Sequence, residues 1–468
     1  MKKIVLIVIA VLAAIVIFLP KYIGMQFATG LQATVDTLNQ KTMYEVSVDE
    51  LNSQWTSTTA ILDIKLKMPD VANQSADLSV KVDLNASHGP FLGSGDTSIG
   101  LLHTVINSQD AELPRDLVLE NASAPIFNID AHTGLFGTTH YTMNLAGLSY
   151  TDINTGMTFS FSGLNSEGTS SSGGYTFTGN SLEMKIFMGD EEVVAFQDLN
   201  MDSTSDVGIA QMMSMGLYNS ESTVSIADIT INSLVDDTQT SVRDAKMLIA
   251  TSLDEGTQLG NVSFKTTMTE FAAPSMNITD LIVVFDANNL QAKFMRAYQE
   301  FTAKSMEYAA DPNAIQSATQ AFLDEHLLEQ LQQNPEYNVS ELRGKVNGGE
   351  FNGHVFMKLT DVLQLPATLE DPNFWVENGE MDTLMRMEKA AAEFFTAEFI
   401  KTQLAGNPQF LSMSEEEQNM LIAQQTQATL AALVEQGMLQ TEDTNYRFTF
   451  TLKDTQAELN GQPMPLPF

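Results

Sequence analysis

Leu78-Ser79-Val80-Lys81-Val82-Asp83-Leu84 carries the signature of the fold. Its apolar residues fall on every second position, so an extended chain turns one face to a core and the other to water. The same period runs through Tyr44, Val46 and Val48, which alternate with Glu45, Ser47 and Asp49. It returns in Ala60, Leu62, Ile64 and Leu66, set against Asp63, Lys65 and Lys67. Such alternation marks half-buried antiparallel strands. Similar segments lie near 138–150, 157–164, 182–188, 192–200, 222–231, 260–268 and 278–285, parted by polar and glycine clusters such as Ser166–Gly174 and Gly93–Asp96. Successive strands with short turns favour a long meander over βαβ units. No exact repeat at a fixed period is visible, and a degenerate hairpin repeat stays open.

Beyond residue 286 helices enter. Asp311-Pro312 reads as an N-cap with proline at the first helical position, opening a helix to about Gln333. Strand-like segments follow at 338–346 and 352–359. Leu384, Met387, Ala391, Phe395 and Phe399 then mark one face of a helix closing near Gly406. Ser414-Glu415-Glu416-Glu417 is a capping-box pattern opening a helix to Gly437. Tyr446, Phe448, Phe450 and Leu452 alternate again, and Gln456–Leu459 runs into the hairpin-type turn Asn460-Gly461. The expected architecture is α+β and β-dominated. Residues 1–22 read as a transmembrane anchor, 23–42 as an amphipathic stalk helix and 43–286 as an antiparallel β-rich body. Residues 287–440 read as a mainly helical segment with short strands, and 441–468 as a hairpin that closes the sheet.

The anchor reading rests on Lys2 and Lys3 followed by the uninterrupted apolar run Ile4–Leu19, ended by Pro20-Lys21. At about 1.5 Å per residue the run covers roughly 24 Å of a hydrocarbon core about 30 Å thick. Phe18-Leu19-Pro20-Lys21-Tyr22 lacks the small residues of a cleavage site, which favours an uncleaved anchor. The positive-inside rule keeps Lys2 and Lys3 in the cytoplasm and sends everything after Lys21 across the membrane. Ile23, Phe27, Leu31, Val35 and Leu38 recur at helical steps and are expected to pack on the following sheet.

Composition removes whole classes of function. The 468 residues include 23 Lys+Arg against 59 Asp+Glu, a net charge of −36, and no cysteine. Disulfides, thiolate metal sites and cysteine nucleophiles are therefore excluded, and a charge of this sign repels nucleic acid. Residues 1–40 carry a net +2, so the remaining −38 belongs to the body.

Chemistry-bearing motifs are scarce. No Gly-x-Ser-x-Gly, phosphate loop, dinucleotide fingerprint or His-Glu-x-x-His occurs, and no lysine follows a serine by three residues. Of His88, His103, His132, His140, His326 and His354, only His132 and His140 are close in sequence, in an expected loop and strand. A metal would need several of them to converge. Asp198-x-Asn200-x-Asp202 starts like a calcium loop, but Ser203 and Ile209 stand where glycine and glutamate are required. The 25 methionines include one cluster, Met212-Met213-Ser214-Met215; the others, such as Met184, Met387 and Met420, read as core fillers rather than Cu(I) ligands. Asp236-Asp237 and Glu191-Glu192 read as solvated turns. No catalytic residue, metal ligand or cofactor site is assigned.

Ser87-His88-Gly89-Pro90-Phe91 closes the third strand. Its Gly-Pro pair argues for a fixed turn with Phe91 tucked into the core, an architectural role ahead of a chemical one. With the short anchor and the terminal strands ending in Asn460-Gly461-Gln462, this motif resembles the YdgA/YihF-like family of bacterial envelope proteins, a domain of unknown function. Relatives often carry an Arg-Gly pair before the second strand, where this chain has Ser53-Gln54-Trp55-Thr56-Ser57. The resemblance implies an inner-membrane anchor with a periplasmic body and no established reaction. Three functions stay open: a non-enzymatic binding or assembly protein with itself or an envelope protein as partner, a lipid carrier using a sheet groove, and an envelope-polymer hydrolase. An apolar trough left uncovered by helices would favour the second.

Overall fold

A computed structural model describes residues 2–39, 44–66, 78–92, 99–112, 117–119, 121, 125–152, 155–212, 216–236, 238–305 and 312–466, with side chains of the first helix described from Phe18 onward. The chain divides into two compact units, one of Met1–Met215 with Glu300–Ile315 and one of Gly216–Gln299 with Gln316–Phe468. Both are β-dominated and antiparallel.

The first unit begins with helix α1 (Lys2–Asn39). The segments expected as anchor and stalk form one helix, which runs through Pro20. Most of the apolar run Ile4–Leu19 lies outside the described side chains. Among the described residues, no helix is long and apolar enough to cross a membrane.

The strands that follow are β1 (Tyr44–Ser53), β2 (Ser57–Leu66), β3 (Leu78–His88), β4 (Leu102–Glu112), β5 (Leu117–Leu119), β6 (Phe127–Thr133), β7 (Thr139–Leu145), β8 (Leu148–Thr151), β9 (Met157–Phe161), β10 (Leu164–Ser171), β11 (Gly174–Met188) and β12 (Glu191–Ser205), then a helical turn α2 (Ile209–Met212). They pair in the order β1-β2-β3-β4-β6-β7-β10-β11-β12. β9 takes the far half of the β11 edge that β10 leaves free, and β8 and β5 continue outward from it. The core lies where α1 crosses one face: Ala60, Leu62, Val82, Leu84 and Ala86 are buried, and Phe27 and Leu31 of the helix pack on them.

The second unit holds β13 (Ser220–Asn232), β14 (Gln239–Asp254), β15 (Leu259–Ala273) and β16 (Met276–Gln291), then α3 (Ala292–Ser305) and α4 (Pro312–Leu331), which run across the unit boundary. β17 (Glu336–Val346), β18 (Gly349–Leu359), α5 (Pro372–Asn378), β19 (Gly379–Glu388), α6 (Lys389–Leu404), α7 (Pro408–Leu411) and α8 (Glu415–Glu435) follow. The chain ends in β20 (Gln440–Glu442), β21 (Asn445–Lys453), β22 (Gln456–Leu459) and β23 (Gln462–Met464). Each of β13 to β18 pairs with the next, β21 joins β19, and β20 and β22 share the other edge of β21. Asn347-Gly348 and Asn460-Gly461 each make a two-residue hairpin turn with both members at positive φ, the second as expected from its sequence.

Local chemistry sets the helix starts. The Ser414 hydroxyl accepts from the Glu417 amide while the Glu417 side chain accepts from the Ser414 amide, completing the capping box. The Asp311 cap lies outside the described residues. The expected helical face beginning at Leu384 is wrong in its first two members: Leu384 and Met387 sit on strand β19, and the helix starts at Lys389. Met381, Thr383, Met385 and Met387 also recur at period two, and pairing with both β18 and β21 decides in favour of the strand.

Candidate functional site

Register shows which side chains share a face, since directly paired residues in antiparallel strands project to the same side. In the second unit three neighbouring rows on one face are apolar across the sheet. One runs Ile249–Phe264–Phe285–Val339–Val355–Thr383–Phe450–Leu459. Beside it lies Val224–Met247–Thr266–Val283–Leu342–Gly353–Met385–Phe448. On its other side lies Val262–Ala287–Tyr337–Met357–Met381–Leu452–Ala457.

Among the described residues, helices cover only the margins of this face. Ala292, at the start of α3, is buried with Val262, Ala287 and the strand residue Leu290, and Met295 packs on them; Ala391 of α6 is buried with Val346 and Phe351, and Phe394 packs on these. Between them Met247, Phe264 and Met357 are 41%, 38% and 43% exposed, and Phe285, Val339, Val355, Phe448 and Phe450 are half-buried. The reverse face is charged. There Lys358 pairs with Glu336 at 3.1 Å, Arg386 with Glu442 at 3.1 Å and His354 with Asp382 at 3.3 Å. The sheet is thus amphipathic, and its apolar side is not sealed by its own helices.

The first unit presents the opposite kind of surface. Asn107, Asn128, Asn144, Asn165, Asn180 and Asn200 stand in one unbroken row across β4, β6, β7, β10, β11 and β12. Two residues along each strand runs the row Val105–Asp130–Thr142–Glu167–Thr178–Asp202, and two further on His103–His132–His140–Thr169–Thr176–Thr204. The side chains of this face from β7 onward are mostly exposed, while those of the reverse face are mostly half-buried. Asp130, His132, His140 and Glu167 line an open groove of about 460 Å³.

Three of the six histidines therefore come together, although His132 and His140 both sit on strands, not on a loop and a strand as expected. The His103 ring is 3.0 Å from Asp130. Among the described residues no group of three His, Asp or Glu is placed to hold a metal ion. The calcium-loop likeness dissolves as well. Asn200 and Asp202 are rungs of strand β12, and Asp198 is a positive-φ residue on it. Met420 is 70% exposed and fills no core. Met213–Met215 and Asp237 lie outside the described residues.

The His88-Gly89-Pro90-Phe91 turn sits on the helix-covered face of the first unit. The His88 amide donates to the Thr56 carbonyl (2.8 Å), the Gly89 amide to Leu101 (2.7 Å) and the Gly100 amide to Pro90 (3.1 Å). His88 is 1% exposed, and neither ring nitrogen makes a hydrogen bond of good geometry. Its ring faces Phe27 at 6.5 Å and lies against Gly24 of α1. Burial lowers its pKa, the Trp55 backbone offsets part of this, and the Lys21 charge lowers it further. Phe91 is not in the core: it is 66% exposed, because His88 takes the last inward position and Phe91 bridges Ile99 beyond the turn.

The sequence carried a signal for the polar rows that was missed. Asn128-x-Asp130-x-His132, Asn165-x-Glu167-x-Thr169 and Asn200-x-Asp202-x-Thr204 repeat one pattern on alternate strands. A profile of bacterial proteins of unknown function, DUF945, matches residues 1–467. The chain belongs to the DUF945 family. No curated protein and no solved structure matches it. For DUF945 no activity is described, so function must be argued from the two faces themselves.

Proposed function

We propose that this DUF945 protein is a membrane-tethered, non-enzymatic carrier of hydrophobic ligands in the bacterial cell envelope, holding acyl chains against the apolar face of its second unit. The observation that carries the reading is the set of three adjacent apolar rows whose middle is left open by α3 and α6. Fully burying a large apolar side chain stabilises by about 1.5–3 kcal/mol. Each of Met247, Phe264 and Met357, exposed by roughly two fifths, thus leaves on the order of 1 kcal/mol for a ligand to recover. Methionine suits this task, because Met247, Met357, Met381 and Met385 can repack around chains of different shape. The run Ile4–Leu19 after Lys2 and Lys3 supplies the tether and puts the body in the periplasm, in keeping with the narrower likeness to YdgA/YihF proteins.

Mass spectrometry of full-length protein purified in mild detergent tests this. Co-purifying acyl lipid is expected with the natural chain and is lost with Phe264→Asp. Protein free of lipid, or lipid retained at the same level in the variant, would overturn the reading.

A further inference from the structure

The asparagine ladder of the first unit lies on another sheet face and takes no part in holding an acyl chain. We infer that it binds a neutral, linear β-1,4-linked glycan laid across the strands, one sugar per rung.

Spacing is the first argument. Neighbouring strands lie about 4.8 Å apart, so the six amides from Asn107 to Asn200 recur at that interval over roughly 24 Å. One ring and one linkage of an extended β-linked hexopyranose chain advance by a comparable length. Successive sugars of such a chain are rotated by about half a turn, but both edges of each ring carry hydroxyl, hydroxymethyl or acetamido groups, so a polar group meets every rung; an extended peptide turns alternate side chains away and shows same-side groups only about every 6.7 Å.

Chemistry is the second. Every amide both donates and accepts, which matches a hydroxyl or acetamido group that does the same. Asn144, Asn165 and Asn180 are exposed and, among the described residues, engage no other side chain, so their hydrogen-bonding capacity faces outward. Beside them Asp130, Glu167 and Asp202 accept from hydroxyls, and threonines fill the intervening positions.

Charge is the third. The ladder and the two rows beside it contain three carboxylates and no lysine or arginine, so a phosphate-rich or sulfated polymer is repelled. Val105 is the one aliphatic member of the three rows between β4 and β12, which disfavours an acyl ligand or an apolar peptide.

Titration calorimetry of the full-length protein against N-acetylglucosamine hexamer and dimer, both β-1,4-linked, tests the inference. The hexamer should bind at least about tenfold more tightly than the dimer, because it spans more rungs. Asn144→Leu/Asn165→Leu/Asn180→Leu should weaken hexamer binding by about tenfold or more with an unchanged circular dichroism spectrum. If the triple variant fails to fold, Asn165→Leu alone, at an exposed position, should still weaken it several-fold. Absent hexamer binding, equal hexamer and dimer affinities, or full affinity in the folded variants would overturn the inference, as would tighter binding of heparin. Phe264→Asp should leave hexamer affinity unchanged, which separates this result from the fate of the acyl-carrier reading.

Discussion

Gly24→Ala should destabilise the docking of α1, and the same change should stabilise the protein once His88 is gone. A methyl carbon at residue 24 would fall 2.6 Å from Nδ1 of His88 and closer still to Cε1, against roughly 3.5–4.0 Å for an ordinary contact. His88 is fully buried beside Phe27, so its ring cannot swing into solvent and the helix must lift. Overpacking of this kind costs about 1–3 kcal/mol. Replacing glycine by alanine inside a helix otherwise gains about 0.5–1 kcal/mol. The net loss is therefore about 1 kcal/mol. In a His88→Ala background the clash disappears and Gly24→Ala should gain up to about 1 kcal/mol, so the two sites couple by about 1–3 kcal/mol. Trp55, whose ring lies 6.4 Å from Phe18 of α1, reports docking. Its fluorescence through urea titrations, in protein carrying Trp375→Phe, gives all four corners of the cycle. Gly24→Ala stabilising by the same amount in both backgrounds would refute the contact between α1 and His88.

Two further predictions follow from single side chains. Because burial holds the His88 pKa below its ordinary value of 6.5, the unfolded state takes up a proton before the folded state does. Stability contributed by this site is full above pH 6.5 and is lost as pH falls below it, by at most about 1.4 kcal/mol per pH unit until the folded ring protonates. His88→Leu should remove that component from urea midpoints measured between pH 8 and 5, and an unchanged pH profile would count against it. In the second unit Gln330 is 1% exposed, donates to the Asn289 carbonyl (3.1 Å) and accepts from the Gln291 amide (2.8 Å). Gln330→Met keeps the volume but strands both backbone groups, and should cost about 2 kcal/mol in urea unfolding followed by Trp375.

Much of the fold is legible because a half-buried strand writes its two environments into alternate residues, as in Leu78–Leu84. Turn and cap chemistry is equally local, which is why Asn460-Gly461 and Ser414–Glu417 read correctly. Segments whose spacing satisfies two periods are settled by partners instead. Leu384 and Met387 fit a helix until β18 and β21 flank them. The faces were harder still. Successive asparagines of the row are 15 to 21 positions apart in the chain, and only strand register brings them into line. The apolar rows likewise look like ordinary core strands, because sequence marks an inward face without saying whether a helix covers it. Phe91 shows the same limit, since an aromatic residue beside a Gly-Pro turn reads as core until the last inward position is seen to belong to His88.

Acyl chains are expected on one face of the second sheet and not on the other. Neighbouring residues on a strand point to opposite faces, so a photocrosslinking amino acid placed at Met247, Phe264 or Val355 samples the apolar side, and one at Lys246, Lys265 or His354 the charged side. Irradiation in intact cells, followed by mass spectrometry of the purified chain, should find lipid adducts at the first three positions and none at the last three. Equal labelling of both faces, or protein adducts in place of lipid at Phe264, would rule out an acyl-binding face.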